Sequence, residues 1–464
     1  MFPTEKIASG TLNALLFYCS VMGILLYIAT LLRIKIKLFK NLFIPASLIA
    51  GTLGLILGQY GIGVLPPEMT QSWGAMPGRL ITIVFAPMLI GLTIPNPKKV
   101  GNLIGPQLIF GYVGDFIQIG IPFIITALIL KPLWNVNDMI GSIVEIGWCG
   151  GHGTAGGMID VFKQLNWEDG GPLGLTSATV GLFIGIIVGM IIINYGVRKG
   201  YTSVLKSEDS INSSVSYDII PQSEQQAAAV TTINKDVVES FAFHGSLISI
   251  AIFIGWILQK QIASALNIGM PLFPMAMIGG LIVQLAIAKT KIADAVDVRT
   301  LQRIQGLALE FLIIGAIASI KVPVVVAYAV PLLILMISTA IITVLYFFWA
   351  GPRIFKNEWF EHSIVNFGAL TGVTAVGLML LRTVDPEMKT EASRAFALRA
   401  PFFSPFAGGG LITSILPVLA VKYGALKTGI MFLGIAVVLL IAARVMGFWG
   451  KPNLEQSSVA HSRK

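Results

Sequence analysis

The sequence predicts an all-α polytopic membrane protein, and three observations carry that reading. Hydrophobic residues make up 55% of the 464 and charged residues only 12%, about half the share typical of soluble domains. The mean hydropathy of +0.81 means more apolar surface than a water-soluble fold could bury, a difficulty that lipid removes. The charges sit in short segments between long apolar runs, so the chain reads as one membrane unit rather than several soluble domains.

In chain order, apolar runs that reach or approach spanning length lie at 7–32, 41–67, 80–97, 104–130, 170–197, 240–259, 261–288, 302–320, 322–352, 400–421 and 428–443. Crossing the ~30 Å hydrocarbon core takes about 20 residues of helix, so these runs are the predicted spans. Two of them contain a single acid, Asp115 and Glu310. The first run lacks a basic leader and a small-residue cleavage site, and reads as a span rather than a signal peptide. Two more apolar stretches, 139–162 and 362–384, are interrupted by glycine. Each is predicted as a re-entrant hairpin, because non-helical backbone at membrane depth survives only inside protein or beside water.

Charge sets the orientation. With the N-terminus outside, 24 of the 32 Lys and Arg fall in inner segments, and basic excess marks the cytoplasmic side. The protein is therefore expected in the cell (inner) membrane, multi-pass, N-terminus outside and C-terminus cytoplasmic. The net charge of +9 reflects these loops and not a nucleic-acid surface. Cys19 and Cys149 lie in or beside apolar runs and suggest neither a disulfide framework nor a metal motif.

Residues 200–238 are rich in Ser, Gln, Asn and Ala and read as a cytoplasmic polar linker. They divide the chain. The first part, 1–199, holds five spans with hairpin 139–162 before the fifth. The second, 239–423, repeats that order with hairpin 362–384, and 424–464 adds an extra span and a cytoplasmic tail. Five is odd, so the two repeats must be inverted, with their hairpins entering from opposite sides. Inverted repeats with broken elements near the midplane are a transporter architecture.

The first apex, from Cys149 to Gly157, contains Gly150, Gly151, Gly153, Gly156 and Gly157. So many glycines disfavour a helix interior. Free N–H groups there suit a carboxylate, and carbonyls with the Thr154 hydroxyl suit a sodium ion; close helix packing is the alternative. The second apex, Asn366 to Gly377, echoes it weakly with Thr371, Gly372 and Thr374. His152 is a candidate proton or substrate group, or a histidine merely held by a hydrogen bond. Asp115, with Gln118 on the same helix face, is a candidate ion ligand or a packing acid. Ser338 and Thr339 are candidate sodium ligands or hydroxyls bonded to their own helix. Arg399 fits a carboxylate bidentately or serves as an orientation signal; Arg382 and Arg394 read as surface charges. No HExxH, GxSxG or Walker A pattern is present, so the chain reads as no enzyme. It carries no ATP-binding domain, and uphill transport would draw on an ion gradient.

With these residues in view, the chain resembles the bacterial sodium/glutamate symporter family. The resemblance rests on Gly150-Gly151-His152-Gly153-Thr154, on the hairpin at 366–377 after a span ending Tyr346-Phe347-Phe348, and on Asn41-Leu42-Phe43-Ile44-Pro45-Ala46 followed by Gly51. It covers roughly residues 10–421. It implies a homodimer, sodium as coupling ion with no other cofactor, a small anionic glutamate-like substrate, and an elevator movement of the hairpin-bearing part. It places Gly151, Gly153, Thr154, Gly372 and Thr374 around the site, with Gln118 nearby. Arg399 stands where the family pattern would have an apolar residue, and the Leu380–Pro386 stretch is more charged. The expected function is sodium-coupled symport of glutamate or a related dicarboxylate. A proton-coupled or uncoupled carboxylate transporter of the same fold is the alternative, and an ion channel a more distant one.

The orientation is checked by single cysteines. One at Ser213 is expected to react with an impermeant thiol reagent only from the cytoplasmic side, and one at Asn135 only from outside. Reaction of both from one side would overturn the topology.

Overall fold

The computed structural model describes residues 7–41, 44–92, 97–205, 219–225, 227–234, 236–266, 271–386 and 388–452. Among these, every regular element is helical, as lipid demands, since a helix satisfies its own backbone. The principal helices are α1 (Ser9–Lys35), α2 (Ala46–Leu57), α3 (Pro77–Phe85), α4 (Pro97–Ile125, prolonged to Trp134), α5 (Ile143–Trp148), α6 (Gly151–Gly157), α7 (Ile159–Gln164) and α8 (Gly170–Arg198). After the linker come α9 (Ser240–Leu266), α10 (Leu272–Ile287), α11 (Val298–Ala318), α12 (Ala329–Ile354), α13 (Trp359–Val384), α14 (Glu391–Phe403) and α15 (Leu411–Val445). Eight of these helices are long and apolar enough to cross a membrane, and α2 and α10 are apolar but shorter.

Three predicted spans prove shorter than their apolar runs. The run 41–67 is helical only in α2, which stops at Gly58 before Pro66 and Pro67. Within 80–97 the helix continues as a 3-10 turn to Leu89 and is followed by Gly91 at φ 74°. In 261–288 the second helix starts at Leu272, behind Pro271. Hydropathy registers none of these stops, because glycine and proline break a helix without adding charge.

Two long helices contain reversals. In α13, Gly372 (φ −144°, ψ 38°) and Val373 (φ 59°, ψ 177°) leave helical geometry. A Cβ on Gly368 would lie 2.6 Å from the Cα of Gly377; in a continuous helix those residues would be about 13 Å apart. Along α8, Phe360 packs at Gly196, Thr371 at Gly181 and Gly185, and Leu380 back at Gly189. The chain thus runs down α8, turns at Gly372–Val373 and returns. In α15 the reversal is at Gly424 (φ 77°, ψ 162°). Thr413 bonds Glu145, while Gly429 packs on Gly120 and Ile124, and Phe448 on Gly105.

Helices α5 to α7 form a second hairpin, against the other end of α8. Trp148 reaches Gly181, Gly174 faces Ala155, and Ile159 packs on Gly171. The two ends of this segment share one face of the molecule. Helix α12 runs antiparallel to α4, as Tyr346 bonds the Phe110 carbonyl and Gln118 bonds Thr343. The start of α12 meets the start of α8 through Tyr328 and Asp169.

The helices sort into two groups by packing. Helices α1, α2, α3, α9, α10 and α11 pack on one another, and α4 to α8 pack with α12 to α15. The groups meet chiefly where α6 lies against α3 and α11. The linker prediction falls partly on residues 206–218, and the tail on 453–464, outside the described residues. Its described part docks on the start of α11, with Thr232 donating to the Ala295 carbonyl and Arg303 to that of Ala228.

Gly181 touches both hairpins: a Cβ there would lie 2.5 Å from the Thr371 carbonyl oxygen and from the Trp148 ring. Gly181→Ala is expected to destabilise by about 1–3 kcal/mol through overpacking. Gly434→Ala, where a Cβ would meet nothing within 4 Å, should cost nothing. Thermal unfolding of the purified protein in detergent compares them; equal midpoints would contradict the close packing of both hairpins on α8.

Candidate functional site

Three interruptions of helix meet at one place. The first is Cys149–Gly151, with Gly151 at φ 71°. The second is Gly372–Val373, where a non-glycine residue holds positive φ, an uncommon conformation for a β-branched side chain. The third was not anticipated: 400–421 is not one helix. Helix α14 ends at Phe403 and α15 begins at Leu411, because Pro405 and three consecutive glycines intervene, with Gly408 and Gly409 at φ 63° and 102°. A Cβ on Gly151 would lie 2.5 Å from Val373, and one on Gly408 would lie 3.1 Å from Cys149 Sγ. Gly409 lies against Thr154.

Buried charge lines this meeting point. Asp115 of α4 and Glu145 of α5 are fully buried, and Arg399 of α14 is 3% exposed. A ligand atom each from Asp115, Glu145 and Cys149 lie within 4.8 Å of one another. Glu145 Oε1 accepts from the Thr413 hydroxyl at 2.7 Å and from the Gly408 N–H at 3.2 Å. Glu145 Oε2 has no hydrogen-bond partner, and the Asp115 carboxylate has none stronger than the neighbouring Cys149 thiol.

Arg399 is the hub of a second network. Its guanidinium donates to Asn366 Oδ1 and, at 3.2 Å, to the Gln107 carbonyl. Asn366 Nδ2 donates to Gln107 Oε1 at 2.6 Å and to the His362 carbonyl at 2.7 Å. The remaining amide of Gln107 meets His362 Nδ1 at 2.6 Å, so Nδ1 is the accepting nitrogen. Phe396 and Phe403 flank the guanidinium carbon at 4.3 and 4.5 Å, supplying cation–π contact. Gly111, one turn before Asp115, leaves the room that Arg399 Nη1 occupies. The orientation-signal reading of Arg399 fails on this burial. Arg382 and Arg394 are exposed.

The other sequence candidates are placed as follows. Thr154 is buried and donates to the Gly150 carbonyl at 2.8 Å. Half-buried His152 pairs with Thr179 of α8 at 3.0 Å rather than with either acid. Gly153 lies against Ile81 of α3. Thr371 donates to its own helix at Phe367, whereas Thr374, just past the second turn, is exposed. Gln118 donates to Thr343 at 2.9 Å and leaves Oε1 without a partner. Ser338 and Thr339 donate to the carbonyls of Ile334 and Leu335 in their own helix, and Thr339 links to Gln118 through its carbonyl, which accepts from Thr343. Glu310 is exposed.

Sequence reasoning passed over Glu145, Gln107, His362, Thr413 and the Gly408–Gly410 turn. Glu145 carried a readable signal, an acid flanked by Val144 and Ile146 inside an apolar hairpin.

Comparison with known proteins places most of the chain within one family of transporters. The family described as sodium/glutamate symporter matches residues 11–358; α13 to α15, with the second hairpin and Arg399, lie beyond that match. Among solved structures, the sodium proton antiporter MjNhaP1 from Methanocaldococcus jannaschii, at pH 8, is 17% identical. That alignment covers 91% of this chain and 100% of the antiporter, at a TM-score of 0.37. None of the curated proteins matches.

Arg399→Ala would strand the buried Asn366 and Gln107 oxygens, and is expected to cost roughly 3 kcal/mol, as for breaking a buried charged pair. Arg382→Ala should leave stability unchanged. Thermal unfolding in detergent separates them, and an unshifted Arg399→Ala would show that the network carries no weight.

Proposed function

The chain belongs to the sodium/glutamate symporter family, and from that premise we propose that this membrane transporter carries glutamate, or a related amino-dicarboxylate, together with sodium. The single observation that carries the reading is the meeting of two hairpin tips, Gly151 on Val373, from opposite ends of α8. Tips entering from opposite faces enclose a solute near the midplane without opening a continuous pore.

The hairpins are re-entrant elements of two inverted repeats, 1–199 and 239–423, and 424–464 adds the extra helix. Support comes from element order: a long helix, a hairpin and a further crossing recur as α4, α5–α7, α8 and as α12, α13, α14–α15. Gly151, His152, Gly153, Thr154, Asn366, Thr371, Gly372 and Thr374 line the substrate space in this reading, and Arg399 holds a substrate carboxylate. Its planar fork suits a carboxylate, and the flanking Phe396 and Phe403 hold it flat. Asp115, Gln118 and Thr154 serve sodium; Ser338 and Thr339 contribute only where their hydroxyls turn from their own helix.

Access alternates by an elevator movement. The hairpin-bearing group α4–α8 and α12–α15 slides against α1–α3 and α9–α11, along the contact of α6 with α3 and α11. The second group is the scaffold, through which two copies pair as a homodimer. The protein sits in the inner membrane with its N-terminus outside.

Uptake of labelled glutamate into proteoliposomes tests this. Accumulation is expected with an inward sodium gradient and not with potassium alone; equal uptake in both would remove sodium coupling. Gly153→Val should abolish uptake without preventing insertion, because even a Cβ there lies 3.0 Å from Ile81, and normal uptake would exclude a close sliding contact.

A further inference from the structure

We propose that Asp115 and Glu145 together hold one monovalent hard cation, sodium, in a site walled by Cys149, Thr413 and the Gly408 turn. The proposal rests on the symporter reading only for the identity of the ion. Glu145 is a ligand that neither the family resemblance nor the sequence pattern supplied.

The first argument is unmet valence. Oε2 of Glu145 lacks a hydrogen-bond partner and Asp115 has at most the weak thiol donor of Cys149, although both acids are fully buried. Such groups normally meet a partner, and a charged one left alone is far costlier than a neutral one. Ligand atoms from the two acids, with Cys149 Sγ, fall within 4.8 Å of one another, a span that one small ion bridges. Meanwhile Oε1 of Glu145 is fixed by Thr413 and the Gly408 N–H, and Thr413 in turn accepts from the Gly409 N–H at 2.9 Å. The second carboxylate oxygen is thereby held toward Asp115.

The second argument is charge. With both carboxylates ionised, as an ion between them would hold them, the acids and the buried guanidinium of Arg399 sum to −1 at the meeting point. Nη1 of Arg399 bonds Asn366 and the Gln107 carbonyl, so the guanidinium tempers the field without bonding either acid. One monovalent cation brings the cluster to neutrality, whereas a divalent ion would overshoot it in a low-dielectric setting. Carboxylate oxygens select hard cations, and a thiol is a poor ligand for them, so Cys149 acts as wall. The site also ties the ion to transport, since Glu145 belongs to the first hairpin, Asp115 to α4 and Thr413 to the third helix break. An ion here joins three elements of one packing group.

The test is cation-dependent thermal unfolding of the full chain in detergent, without substrate, at constant ionic strength. Sodium should raise the unfolding midpoint saturably, while potassium, magnesium and calcium chlorides should not. Asp115→Asn and Glu145→Gln should each weaken the apparent sodium affinity at least about tenfold, as loss of a ligand-shell partner does. Cys149→Ser should keep or strengthen it, because a hydroxyl is the harder ligand. The wild-type ion series stands even if a variant fails to fold. No sodium shift, a calcium or magnesium shift as large, sodium affinity unchanged in either acid variant, or its loss in Cys149→Ser would each overturn the site. Because no substrate is present, failed glutamate uptake would refute the symporter reading without touching this result.

Discussion

Unpaired backbone cannot face hydrocarbon, and among the described residues three helix breaks lie deep in the packed protein. The structure obeys that constraint by setting the first of them against the other two. Cys149–Gly151 touches both Gly372–Val373 and the Ser404–Gly410 turn. Glycines of α8 make the meeting possible, since Gly181 and Gly185 leave no side chain where Trp148, Thr371 and Val376 press in. The freed N–H groups are put to use, with Gly408 bonding a buried carboxylate and Gly409 a threonine hydroxyl. Polar backbone, buried acids and a buried arginine share one enclosure because each needs protein on every side.

The same enclosure explains the polar side chains. Arg399 is tolerable at depth because Asn366, the Gln107 carbonyl and two aromatic faces surround it. Asn366 and His362 belong to the second hairpin, Gln107 to α4 and Arg399 to α14. One hydrogen-bonded chain therefore ties three elements of the same packing group, and Glu145 with Thr413 ties the first hairpin to α15. Across the boundary between the groups, by contrast, α6 meets α3 mainly through Gly153, Gly156 and Gly157 against Ile81 and Pro77. The exposed Arg79–Asp160 ion pair also crosses this boundary, at 2.6 Å, but the surface itself, glycines against short apolar side chains, is smooth and suits sliding.

Much of this was legible in the sequence, and the remainder was hidden for definite reasons. Glycine clusters mark the two turns at 149–151 and 372–373, since few other residues disturb an apolar run so visibly. The break at Ser404–Gly410 escaped because Phe402, Phe403, Phe406 and Leu411 keep the local hydropathy high across it. Glu145 was overlooked as one of two acids, with Asp160, inside a segment read as apolar. Arg399 could not be assigned from sequence, because a buried arginine and an orientation signal look alike until Asn366, thirty-three residues away, is seen to bond it. Ser338 and Thr339 illustrate the converse: their partners are carbonyls of their own helix, which no spacing reveals.

The central claim is that the hairpin-bearing group moves as one body against the other. The most direct measurement locks the boundary reversibly. A Cβ on Gly78 of α3 would lie 3.2 Å from the Asp160 carboxylate of α7, so cysteines replacing these two residues are within disulfide reach. Oxidation should stop sodium-driven glutamate uptake in proteoliposomes, and reductant should restore it, the reduced protein serving as its own control. Undiminished uptake with the disulfide fully formed would contradict the movement and, with it, this account of the fold.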